Sequence, residues 1–94
     1  MKRLAVNLRH PGEILKKEYC EPLGISQTEL AEKHLGVSRK HINSILNGHD
    51  PIYLDLAIRL SRAFKTSPEF WLNLQMEYDI ARYNGDAFKV KPVF

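Results

Sequence analysis

A chain of 94 residues with one cysteine can close no internal disulfide. That usage, together with a start that lacks a long apolar segment and a small-residue cleavage site, argues for a reducing, cytoplasmic setting and against a secretory signal. Cys20 itself reads as a small packing residue in a helix rather than a reactive thiol. No apolar run approaches the ~20 residues that span a bilayer, so no membrane partner is expected. There is no glycine-rich phosphate loop and no nucleophile elbow, so the residues offer no enzyme chemistry and call for no cofactor. His34, His41 and His49 are spaced 7 and 8 apart and do not share one helix face, so no metal site is expected either. One further absence is local. From Lys33 to His49 there is no Asp or Glu, while Lys33, Arg39 and Lys40 supply three positive charges, as many as the net +3 of the whole chain. A basic segment on a near-neutral body suits a phosphate-binding face, although a solvated surface would read the same by charge alone.

What is present is helical periodicity. Leu4, Val6 and Leu8 alternate through residues 1–9 and permit a short strand or an extended arm. Pro11 suits a first helical turn, Ile14, Leu15 and Tyr19 give a short apolar face, and Glu21-Pro22-Leu23-Gly24 ends the helix. Ser26-Gln27-Thr28-Glu29 has the form of a capping box and starts a second helix with Leu30 and Ala31 inward. Leu35-Gly36-Val37 reads as a tight turn, with Gly36 free to take a positive φ. Ser38 caps a third helix carrying Ile42, Ile45 and Leu46 inward, and Asn47-Gly48 closes it. Leu56, Ala57, Leu60, Ala63 and Phe64 form one stripe on a fourth helix. A fifth opens at Thr66-Ser67-Pro68-Glu69, carries Phe70, Trp71, Leu72, Leu74, Tyr78 and Ala81, and ends near Gly85. The tail from Phe88 to Phe94 alternates apolar and basic residues and reads as a short strand or a disordered end. The expectation is an all-α, five-helix single domain over residues 1–94, with its core at about 10–82, an arm at 1–9 and a tail at 86–94.

The second and third helices form a helix-turn-helix. Leu30, Ala31, Val37, Ile42 and Ile45 would lock them at a fixed angle. The outward face of the third helix is then Arg39, Lys40, Asn43, Ser44 and Asn47, with no acid and no large apolar residue. Such a face suits the major groove of double-stranded DNA. Ser38 and the first-turn amides can hold a phosphate. Gln27 can do the same or brace a side chain of the third helix. Arg39 and Lys40 suit guanine O6 and N7, and Asn43 suits adenine or a phosphate. His41 can reach backbone or base.

Three stretches carry a family resemblance. They are His10-Pro11-Gly12-Glu13-Ile14-Leu15 with Glu21-Pro22-Leu23-Gly24-Ile25-Ser26-Gln27, then Leu35-Gly36-Val37-Ser38-Arg39 with Asn47-Gly48, then Leu60-Ser61-Arg62-Ala63-Phe64 with the run from Thr66 to Gln75 and Tyr78-Asp79. Over about residues 10–82 the chain resembles the HigA/VapI-type antitoxins, a branch of the phage-repressor-like (Xre) helix-turn-helix proteins. The resemblance implies a lambda-repressor-like fold, a homodimer on a palindromic operator, repression of the protein's own operon and neutralisation of a HigB-like toxin that cleaves mRNA on the ribosome. It also implies that Ser38 contacts phosphate, that Arg39, Lys40 and Ser44 face bases, and that Gln27 stands beside them. Three departures stand out, one of them the unusual loop His49-Asp50-Pro51. Ala31 and Gly36 are five apart where the family usually has four, so the second helix must lengthen or its turn must bulge. Tyr53 stands where Thr or Ser usually caps the fourth helix.

The fifth helix has apolar residues on more than one side, the excess a dimer interface needs. Trp71, Leu72, Leu74, Met76 and Tyr78 are the candidates. Two rival readings remain open at the level of sequence: an orphan Xre-type repressor without a toxin, and a protein-interaction module that does not bind DNA.

Overall fold

The computed structural model describes residues 9–83 and 85–94, so the arm expected at residues 1–9 lies almost wholly outside the described residues. Among the described residues the secondary structure is entirely helical. Helix α1 runs over residues 11–23, α2 over 27–35, α3 over Arg39–Leu46, α4 over Leu54–Phe64 and α5 over Pro68–Arg82. A single 3-10 turn follows at Gly85–Ala87, and the tail beyond it forms no strand. No described helix is long and apolar enough to cross a membrane.

A side-chain cap sets four of the five helix starts. The imidazole Nδ1 of His10 accepts the Gly12 amide at 2.9 Å, and Pro11 follows in the first turn, where its missing N–H costs nothing. At α2 the capping box closes both ways: the Glu29 amide donates to Ser26 Oγ and the Ser26 amide to Glu29 Oε1, each at 3.0 Å. Those bonds hold the Glu29 carboxyl below its ordinary pKa, with Lys33 and His34 adding to the effect. Ser38 Oγ accepts the His41 amide at 3.0 Å, and Ser67 Oγ accepts the Phe70 amide at 3.1 Å. Only α4 begins without such help, because Tyr53 has no side-chain oxygen that can reach back.

Two helices contain π-helical turns, at Leu15–Cys20 and Glu29–Leu35. The second explains the extra residue between Ala31 and Gly36. The Ala31 carbonyl accepts from Gly36 five residues on, and from Val37 at 3.0 Å, so one widened turn absorbs the insertion and α3 still starts cleanly at Ser38. Gly36 sits at φ 68°, as the tight turn required. The first π turn lies directly upstream of Pro22, whose ring would crowd the carbonyl four residues back in a regular α-helix.

Leu15, Leu30, Ala31, Leu35, Ile42, Ile45, Ile52, Leu56, Ala57, Leu60 and Trp71 form one core shared by all five helices. Gly12 lets α1 press on the end of α3: a Cβ there would stand 1.8 Å from the Ile45 carbonyl oxygen. On α4 the buried arc is Leu56, Ala57, Leu60 and Ser61, with Phe64 half-buried. Ala63, expected in that stripe, is exposed, because the arc centres toward Ser61, whose hydroxyl donates to the Ile58 carbonyl at 2.7 Å. Helix α5 stops at Arg82, three residues before Gly85, with Tyr83 already extended. Cys20 is buried, and burial beside the Glu21 charge pushes its thiol up to about 11, so it stays protonated and inert at neutral pH.

Candidate nucleic-acid interface

The α2–α3 pair is locked by its own core and clamped from α4. Leu30, Ala31 and Leu35 of α2 meet Ile42 and Ile45 of α3, all within 3% of full burial. From α4, the guanidinium of Arg59 reaches the turn: Nη1 donates to the Leu35 carbonyl at 2.7 Å and lies 3.5 Å from that of Gly36. Nε pairs with Asp55 at 3.1 Å. A cation bonded to the last carbonyls of a helix satisfies groups that have no partner within the helix and complements its negative end.

With that clamp in place, α3 presents one face outward. At about 100° per residue, Arg39, Asn43 and Asn47 run down the face beside Lys40 and Ser44. Arg39, Lys40, Asn43 and Asn47 are exposed, while Ser44 is half-buried at the edge. His41 is exposed but lies on the flank, turned from the centre of this face toward the Ile45 side. Gln27, half-buried at the start of α2, accepts a hydrogen bond from Asn43 Nδ2 at 3.2 Å. Gln27, Glu32, Arg39, Lys40 and Asn43 line one polar groove between the two helices. Among the described residues neither Arg39 nor Lys40 is paired with an acid, so both charges remain available to a ligand.

The residues expected at a dimer face separate. Leu72, Met76 and Tyr78 line a second groove of about 500 Å³, together with Ile52, Tyr53 and Ile80. Leu74 packs half-buried against the core instead. Trp71 is corrected outright: it is fully buried, its indole Nε1 donates to Thr66 Oγ1 at 2.8 Å, and Tyr19 and Phe70 pack on its ring. It has no surface to offer a partner. Helical periodicity cannot tell a core aromatic from an interface aromatic when α5 is apolar on several sides.

A helix-turn-helix family profile matches residues 16–71, which spans the clamped pair and its α4 support. Antitoxin HigA-1 of Vibrio cholerae is 41% identical over 87 residues, covering 88% of this chain and 81% of the relative. The chain belongs to the HigA-type helix-turn-helix family. Among solved structures, the antitoxin HigA of Pseudomonas aeruginosa with the higBA promoter superposes with a TM-score of 0.83 at 40% identity, covering 94% of this chain and all of that one. The antitoxin GraA in complex with its operator gives 0.84 at 35% identity, covering 100% and 99%.

Four contributors to the site escape sequence reading. Arg59 looks like an ordinary exposed-face arginine, and only its position opposite the α2 carbonyls gives it a role. Glu32 places a carboxylate in the polar groove, although the α3 face itself is free of acids. Gln75 is buried on α5: its Oε1 accepts the Ile52 amide at 2.8 Å and its Nε2 donates to Asp79 at 3.0 Å, which fixes the loop between α3 and α4. His10 is 8% exposed and touches Tyr78 edge to face at 5.0 Å. A buried polar residue among apolar neighbours at helical spacing, as Gln75 is between Leu72 and Tyr78, was the one available signal.

Proposed function

We propose that the chain is an antitoxin that binds the operator of its own operon as a homodimer, represses that operon, and neutralises a HigB-like mRNA-cleaving toxin in the cytoplasm. The observation that carries the reading is the clamped, exposed face of α3, with two unpaired cations and an amide held in place by Gln27. Operator-bound relatives at 35–40% identity over nearly the whole chain support it.

Each side chain has a task within that reading. Ser38 and the first amides of α3 hold a phosphate at the positive end of the helix. Arg39 and Lys40 meet guanine edges in the major groove, and Asn43, held by Gln27, meets adenine or a phosphate. Ser44 reaches a base at the groove edge. His41, on the flank, contacts the sugar-phosphate backbone, which positions the protein without specifying sequence. Leu72 and Met76, with Tyr53 and Ile80 beside them, form the contact between two copies, with Tyr78 behind. No step of this activity requires a catalytic group, metal or cofactor.

The test has two arms. Fluorescence anisotropy with DNA from the chain's own promoter should give tight binding that weakens steeply with salt, and much weaker binding to a scrambled duplex. Co-expression with the product of the adjacent small reading frame should yield a stable complex and restore growth that the product alone arrests. Specific DNA binding without any neighbouring toxin gene would leave a repressor and remove the antitoxin part of the proposal.

A further inference from the structure

The groove between α5 and the α3–α4 loop is apolar at its base and acidic at its rim. Ile52 forms the floor, and Tyr53, Met76 and Ile80 stand 71%, 51% and 54% exposed along its walls. Asp50 and Asp79 flank it beside His10 and His49, and the Arg82 guanidinium stands 5.2 Å from the Tyr78 ring centroid at one end. None of the described residues fills it.

The segment 88–94 has the complementary pattern. In an extended chain successive side chains alternate, so Phe88, Val90, Pro92 and Phe94 share one side and Lys89, Lys91 and Val93 the other. The segment carries no acid. Its departure from α5 is fixed by the Phe88 ring against Tyr83 at 5.6 Å between centroids and by the Phe88 amide on the Gly85 carbonyl at 3.1 Å. Beyond that anchor Val90 and Val93 are 76% and 89% exposed, and Phe94 is wholly so. Four exposed apolar residues within seven are an unusual concentration for a surface segment without a partner. Seven extended residues span roughly 23 Å, more than the roughly 12 Å of α5 between Leu72 and Ile80.

We propose that the segment 88–94 of one copy lies in the α5 groove of a second copy, and the reverse, so that a two-fold exchange of tails closes the homodimer. Val90 and Phe94 cover Met76, Ile80 and Tyr53 of the other protomer, and Lys89 and Lys91 lie toward its Asp50 and Asp79. Such an isologous contact satisfies both exposed surfaces at once and completes itself at two subunits. The inference rests on the homodimer reading and names the segment that makes it.

Sedimentation equilibrium distinguishes the two. The full chain should be dimeric at micromolar concentration. Deletion of residues 88–94, the pair Val90→Asp with Phe94→Asp, and the groove variant Met76→Lys should each raise the dimer dissociation constant at least ~100-fold with an unchanged helical circular dichroism signal. A photo-crosslinking phenylalanine analogue at position 94, in a mixture of isotopically heavy and light chains, should yield heavy–light adducts on α5. A full-length dimer that survives the deletion, or adducts formed only within one chain, would overturn the tail exchange and leave the homodimer standing. A full-length monomer would overturn both.

Discussion

Asn43 Nδ2 lies 3.2 Å from Gln27 Oε1, so the first residue of α2 holds a side chain in the middle of the α3 face. The bond uses one N–H of the exposed Asn43 and leaves its carbonyl oxygen and second N–H, the pair an adenine edge needs. Truncating either residue should therefore weaken operator binding. The double variant Gln27→Ala with Asn43→Ala should cost less than the sum of the single changes, with a coupling of about 0.5–1.5 kcal/mol. Anisotropy titrations of the four proteins check it, and strict additivity would show that the bond does not organise the face.

Arg59 joins α4 to the turn between the DNA-facing helices. Arg59→Ala leaves the Leu35 carbonyl without its charged donor and should lower stability by about 2 kcal/mol in urea unfolding. Arg59→Lys should recover only part of that loss, since a single ammonium keeps the charge at the helix end but loses the fork. An Arg59→Ala protein as stable as the parent would remove the clamp from the account.

His10 gives the fold a pH dependence. Burial holds its imidazole below the ordinary histidine pKa, and the opposing pull of Asp79 and the Asp50 backbone does not reverse this. Its Nδ1 must also stay unprotonated to accept the Gly12 amide. The folded state thus binds fewer protons than the unfolded chain. The contribution is present above the unfolded pKa and is lost as pH falls toward the folded one. Unfolding curves between about pH 7.5 and 5.5 should show stability dropping with acid, and His10→Asn, which can still cap but does not titrate, should flatten that slope.

Lys65 closes α4 in the left-handed region at φ 56°, a conformation that a side chain with a Cβ resists. Lys65→Gly should raise stability by about 0.5–1 kcal/mol without altering DNA affinity. Thermal unfolding and one operator titration are sufficient to check both halves.

Much of this architecture was legible beforehand. Hydroxyls at Ser26, Ser38 and Ser67 and the glycines at 24, 36 and 48 mark helix boundaries through local chemistry, which depends only on neighbours in the chain. The α3 face was readable because its polar residues recur at helical spacing. The extra residue before Gly36 could be seen, but not whether it would bulge the turn or widen the helix; a π turn was the outcome. Trp71, Arg59, Glu32 and Gln75 were misread or missed for one shared reason. Their roles come from contacts with other helices, which no pattern along one helix contains. Phe64, by contrast, half-buried against Tyr19 at 5.3 Å, follows from the α4 stripe alone.

The most direct test of the central claim is the affinity of the Arg39→Ala and Lys40→Ala proteins for the chain's own promoter and for a scrambled duplex at fixed salt. Each change should cost about 1–3 kcal/mol on the promoter, Arg39→Ala should also narrow the gap between promoter and scrambled DNA, and helix content should be unchanged. Promoter affinity and discrimination equal to the parent in both variants would contradict the assignment of α3 as the helix that reads DNA.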